Sequence, residues 1–121
     1  MVQQPRPGAR PPVAAVLYER YAGRLPDTLE ALAGPEHGFV DLPLHIAWSG
    51  LRTYDLDRPR QRMSLYRSVL TEGQREDITC FLNRDLLLAL WPTMRTMISR
   101  HVRDAWETAF PELESWASGA G

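Results

Sequence analysis

The chain has 121 residues, 44% of them hydrophobic, with 14 basic and 15 acidic side chains and a formal net charge of −1. That length holds one ordinary domain with a modest core, and the near-neutral charge removes the simplest argument for a dedicated nucleic-acid or membrane-surface binder. Every basic residue is Arg, which excludes a catalytic Lys and is the usage of a GC-rich genome, and a single Cys cannot form an internal disulfide, which fits a reducing cytoplasm.

Residues 1–12 carry Pro5, Pro7, Gly8, Pro11 and Pro12 and are expected to form a disordered tail. A single helical domain is expected over residues 13–121. Val13 to Tyr21 reads as a short helix with Val16, Leu17 and Tyr21 on one face. Pro26 to Ala33 reads as another, ended by Gly34-Pro35. Between Phe39 and Trp48 the pattern changes: Val40, Leu42, Leu44 and Ile46 alternate with Asp41, Pro43, His45 and Ala47, a period of two. Pro43 demotes this segment to an edge strand or an extended arm. Arg52 to Leu56 could pair with it across Ser49-Gly50, but an extended apolar arm laid over the helices is the preferred reading.

Residues 57–110 form the expected helical core. Asp57 is an N-cap candidate and Pro59 suits the first turn, where its missing N–H costs nothing. Met63, Tyr66, Val69 and Leu70 recur at helical spacing, and Gly73 is expected to end the helix in left-handed geometry. A second helix starts near Gln74, with Glu76 and Asp77 at the positive end of its dipole and Ile78, Phe81 and Leu82 inward. Asn83 caps a third helix, Arg84 to Trp91, and Pro92 breaks it. The last helix is expected to be the longest, with Met94, Met97, Ile98, Val102, Ala105, Trp106 and Ala109 in one stripe, and Pro111 stops it. The predicted core is Tyr66, Val69, Phe81, Leu82, Leu87, Leu90, Ile98 and Val102.

Chemistry-bearing residues do not converge in this sequence. His37, His45, His101 and Cys80 lie far apart, without the close pairing that marks a zinc site, and Cys80 beside Phe81 reads as a small core residue. No nucleophile elbow or phosphate-binding glycine loop is present. Glu76, Asp77 and Asp85 sit at helix starts, where capping explains them; Asp55 and Asp57 read the same way rather than as metal ligands. The most suggestive polar feature is the cluster Arg52, Arg58, Arg60, Arg62 and Arg67, which suits a solvated face, an acidic partner surface or phosphate. Gln74 to Trp91 resembles a helix-turn-helix in spacing, yet its second helix reads RDLLLALW, too apolar for a major groove. The apolar excess, with Met94, Met97, Trp106 and Trp116, points to a protein interface, since Trp, Met and Arg are enriched there.

The strings Arg62 to Gly73, Asp77 to Asn83, Leu87 to Pro92 and His101 to Glu107 resemble the shared wording of a group of small actinobacterial proteins: R-M-x-L-Y-x-x-V-L-x-E-G, D-x-x-x-[FY]-[LV]-N, L-L-x-x-L-W-P and H-V-R-x-x-W-E. The likeness covers about half the chain. Such proteins are associated with AbiEii-type nucleotidyltransferase toxins, so the resemblance implies an antitoxin-like partner. It carries no functional residue over position by position, and the chain lacks the winged-helix segment usual in antitoxins of that class.

The expected fold is therefore all-α, a bundle of four to six short helices with one extended arm. The expected function is a cytoplasmic, non-enzymatic protein that neutralises a nucleotidyltransferase-type toxin by steric docking. Arg58, Arg60, Arg62, Arg67, Met94, Met97, Trp106 and Trp116 are the expected partner-binding residues. No catalytic residue, cofactor, metal or membrane contact is expected; the chain is expected either as a homodimer or as a soluble complex with its toxin, and not as an inert monomer. The alternative is a nucleic-acid-binding transcriptional regulator that sets the Arg patch on phosphates.

Overall fold

The computed structural model describes residues 13–47 and 51–114. The expected tail over residues 1–12, the turn at Ser49-Gly50 and Trp116 lie outside the described residues. Helices carry most of the rest: α1 (Val13–Ala22), a 3-10 turn (Leu29–Ala31), α2 (Pro59–Glu72), α3 (Arg75–Phe81), α4 (Arg84–Met94) and α5 (Arg100–Ala109). Residues 111–114 are helical again.

Two strands correct the all-α expectation. β1 (Phe39–Asp41) and β2 (Thr53–Asp55) form an antiparallel ribbon in the register Phe39↔Asp55, Val40↔Tyr54, Asp41↔Thr53. Pairing prevails over a bare arm because an unpaired segment would bring its N–H and C=O groups to the core without partners. Pro43 follows the last paired residue, so it removes no ladder bond. The period of two holds from Phe39 to Leu42, with Val40 and Leu42 inward; the chain then turns, leaving Leu44 exposed while Ile46 re-enters the core.

The core is built around α2, whose Leu65, Tyr66, Val69 and Leu70 are buried. β2, α3 and α4 pack on it, and α1 packs along α5. Asp57 does not cap α2, as it was expected to. The N-cap is Arg58, without a side-chain bond, and Pro59 occupies the first turn. Asp57 instead turns to His37 Nδ1 (2.8 Å) and the Gly38 N–H (3.4 Å). Gln61 Oε1 accepts the Asp55 N–H at 2.7 Å, which ties β2 to the helix start. Gly73 ends α2 with φ −73°, not in left-handed geometry. Its lack of a side chain is needed for space, since a Cβ would stand 2.6 Å from the Val69 carbonyl oxygen.

At α3 the sequence reading holds closely: Gln74 and Asp77 form a reciprocal capping box. Asn83 caps α4, its Oδ1 accepting from the Leu86 N–H at 3.1 Å. Pro92 does not break α4, which runs on to Met94. The proline forfeits one backbone bond, and the fully buried Trp91 and Met94 hold the last turn in place. The chain breaks later, in a turn over residues 95–97, and Ser99 starts α5. The stripe from Met94 to Ala109 is thus split between two helices. This lets Trp91 and Trp106 pack with ring centroids 6.3 Å apart. The Pro26 to Ala33 segment shortens to the 3-10 turn, which buries Leu29.

Of the predicted core, Tyr66, Val69, Leu82, Leu87 and Val102 are buried, while Phe81, Leu90 and Ile98 are half-buried against it. Cys80 is exposed, contrary to its reading as a core residue, because α3 turns that face outward. Two polar chains cross the interior. Trp106 Nε1 donates to the Tyr21 hydroxyl (2.8 Å), which donates to the Leu70 carbonyl near the end of α2. Glu107 accepts from Trp91 Nε1 (2.8 Å) and from two nitrogens of Arg95 (2.7 and 3.2 Å), joining α4 to α5.

Candidate functional site

The residues expected to bind a partner separate into two groups. Met94 and Trp106 are fully buried. Both serve the core: Trp106 lies between Trp91 and Phe110 and spends its N–H on Tyr21. Neither can reach a partner, which corrects their assignment to a docking patch. The area of a small domain suggested that its tryptophans could not all be hidden; the division of the last helix makes room for these two. Met97, on the turn between α4 and α5, is 37% exposed.

The arginines also divide. Arg62 Nε donates to the Leu56 carbonyl (2.8 Å) and Arg52 Nε to the Leu42 carbonyl (3.3 Å), so both fasten the ribbon. Arg58 lies 3.5 Å from the Asp55 carboxylate and is largely exposed. Arg60 and Arg67 are exposed and bond to no other described residue. They sit seven positions apart on the outer face of α2, opposite Leu65, Tyr66, Val69 and Leu70.

One surface residue was missed in the sequence. Phe39, at the start of β1, is 76% exposed, the most of any large hydrophobic side chain described. Its signal was the alternation itself, which sets Phe39 on the face of Asp41 while Val40 and Leu42 go inward. The register places it across from Asp55, whose carboxylate pairs with Arg58. Phe39 is thereby linked through Asp55 to Arg58 at the start of α2, and Arg60 stands two residues further along the chain. Leu44 and Leu51, near the other end of the ribbon, are exposed too.

The edge beside Phe39 is open. The Leu56 N–H donates to the Gly38 carbonyl and the Leu42 N–H to the Arg52 carbonyl, each at 2.8 Å. The alternation of an antiparallel ladder then turns the backbone groups of Phe39 and Asp41 away from β2. None of them bonds to another described residue.

Two histidine–aspartate pairs hold this segment in place. His37 pairs with Asp57 at 2.8 Å before β1, and His45 Nε2 pairs with Asp77 at 2.7 Å after it. The His37 ring holds the Asp57 carboxyl below its ordinary value. His101 is half-buried, its ring edge-on to Tyr21 at 6.2 Å. Among the described residues no three His, Cys, Asp or Glu side chains converge as metal ligands, and no helix is long and apolar enough to cross a membrane.

Compared with known proteins, the chain matches no protein-family model, no curated protein and no solved structure.

Proposed function

We propose that this domain is a non-enzymatic binding protein whose docking surface is the exposed ribbon edge, with Phe39 as the anchor and Arg58 and Arg60 as the charged rim. The observation that carries the reading is Phe39 itself: a large aromatic side chain, 76% exposed, held on an unpaired strand edge opposite Asp55, which pairs with Arg58. Aromatic and Arg side chains dominate binding energy at protein interfaces, and an open edge offers main-chain bonds to a partner strand. The chemistry suits a partner with an apolar pocket bordered by carboxylates. The resemblance noted in the sequence makes that partner a nucleotidyltransferase-type toxin, neutralised by steric cover of its catalytic pocket in the cytoplasm. Met94 and Trp106 act only by supporting the fold.

Co-expression with such a toxin tests the proposal. The wild-type chain is expected to restore growth and to co-purify with the toxin. Phe39→Ala should weaken the complex by about 2 kcal/mol or more, as loss of a hot spot does. Arg58→Ala with Arg60→Ala should mainly slow association and make it less sensitive to salt, because rim charges steer encounters. Full rescue by the Phe39→Ala chain, with unchanged affinity, would remove the ribbon from the interface.

A further inference from the structure

A cleft of about 360 Å³ lies on the outer face of α2, lined by Tyr54, Ser64, Arg67, Ser68, Thr71 and Glu72. Ser64 lies three and four residues before Arg67 and Ser68, and Thr71 four and three after them, so one side of the helix presents a guanidinium among three hydroxyls. These hydroxyls are unspent. Helical hydroxyls elsewhere fold back on the backbone: Thr79 Oγ1 donates to the Arg75 carbonyl at 3.1 Å and Thr96 Oγ1 to the Thr93 carbonyl at 2.6 Å. Ser64, Ser68 and Thr71 make no such bond to any described residue, and Arg67 forms no ion pair there.

The floor supplies a second, independent observation. Tyr54 is buried to all but 6% of its surface, yet its hydroxyl has no hydrogen-bond partner among the described residues. That hydroxyl is not sealed from solvent. Tyr54 belongs to the core on its β2 side and also lines the cleft beside α2. Buried tyrosine hydroxyls normally find a partner. Here the hydroxyl bonds to no described residue and meets solvent, so it is free to bond a ligand in the cleft that Tyr54 lines.

We propose that this cleft binds a phosphate monoester of a hydroxyl-bearing molecule. Arg67 takes the phosphate through its paired N–H donors, the geometry that matches phosphate oxygens. Ser64 and Ser68, one turn apart, donate their hydroxyls to the remaining oxygens; Thr71, about 10 Å along α2 from Ser64, and Tyr54 bond to the hydroxyl-bearing part of the ligand. Glu72, at the margin and not ion-paired with Arg67, accepts from hydroxyls of the ligand, since a carboxylate repels phosphate. The volume fits a phosphate with a sugar-sized group. This site is separate from the ribbon edge and does not depend on the protein-docking reading.

The test is a titration of the full chain with inorganic phosphate and with ribose 5-phosphate, followed by amide NMR shifts and calorimetry. Ribose 5-phosphate should saturate, with the largest shifts between residues 64 and 72, and should bind more tightly than inorganic phosphate. Arg67→Ala should weaken it at least about tenfold, the loss typical of a charge-assisted bond. Arg67→Lys, which keeps the charge and loses the fork, should recover only part of this. Tyr54→Phe should weaken binding about threefold or more without unfolding the chain, because only the hydroxyl is lost. Glu72→Gln should reduce the preference for the sugar phosphate. Failure of both probes to saturate by about 10 mM, well past millimolar affinity, would overturn the proposal. So would binding unchanged in Arg67→Ala, or equal affinity for the two probes.

Discussion

Replacing Tyr21 by Phe removes one oxygen atom and should destabilise the domain well beyond what one hydrogen bond suggests. The Tyr21 hydroxyl accepts from Trp106 Nε1 and donates to the Leu70 carbonyl, so it links α1, α2 and α5 at one buried point. Leu70 lies in the last turn of α2, where carbonyls lack helical partners. Phenylalanine keeps the ring and its packing but strands two polar groups in the core. Trp106 is fully buried, so its N–H gains no water in exchange. Each stranded group costs about 1–3 kcal/mol, so the substitution should cost about 2–6 kcal/mol. For a domain of this size that is a fall in Tm of about 10 °C or more. Urea unfolding of wild type and variant measures it directly. A loss under about 1 kcal/mol, with an unchanged denaturant slope, would show that this network does not hold the three helices together.

Further substitutions probe the remaining contacts. Burial pushes the Tyr21 hydroxyl far above its ordinary value and the Tyr66 hydroxyl up to about 12. Both folded values lie above the unfolded one, so stability should be intact below about pH 10 and be lost as pH rises toward the folded values. Alkaline unfolding followed by circular dichroism should show this, and a flat profile to pH 12 would contradict it. Arg95, by hydrogen bonding, holds the Glu107 carboxyl below its ordinary value. That contribution is present above the unfolded carboxyl value and disappears as pH falls through the lower folded one; Glu107→Gln should remove this acid-limb dependence and cost about 1–3 kcal/mol in urea melts. Leu87→Ala should cost about 2–5 kcal/mol, and half-buried Leu90→Ala clearly less; equal losses would place Leu90 in the core after all. Gly34→Ala should destabilise by about 2 kcal/mol or more, because its Cβ would collide with the Phe81 carbonyl and come within 2.8 Å of the Leu82 carbonyl carbon; a thermal melt like wild type would show that the two segments part easily.

Much of the fold could be read from local chemistry. Helices α2, α3 and α4 start where a proline, acidic residues in the first turn and an asparagine cap say they should, because these signals act within one turn of the chain. Breaks were harder to place. Pro92 is tolerated inside α4 because buried Trp91 and Met94 anchor the turn, and such tertiary support leaves no local trace. The ribbon was visible as alternation in β1, but its pairing with β2 spans a connection and depends on which backbone groups the core leaves unsatisfied. Asp57 was misread as a cap because its partner, His37, lies twenty residues away. The candidate surface was only partly legible. Arg58 and Arg60 are exposed as expected. Met94 and Trp106, chosen for residue type, went to the core, since an interface tryptophan and a core tryptophan look alike in sequence. Phe39 carried the better signal: the right residue type on the outward phase of a period-two segment.

The most direct measurement is a quantitative pull-down from host lysate, comparing the wild-type chain with Phe39→Glu and Arg58→Ala/Arg60→Ala variants of confirmed fold. Bound proteins would be identified by mass spectrometry. The wild type is expected to retain a nucleotidyltransferase-type protein through a high-salt wash. The Phe39→Glu chain should lose it, and the double arginine variant should keep it at lower yield after brief mixing. Equal retention by wild type and Phe39→Glu, or no such protein retained by the wild type, would contradict the assignment of the ribbon edge as the docking surface.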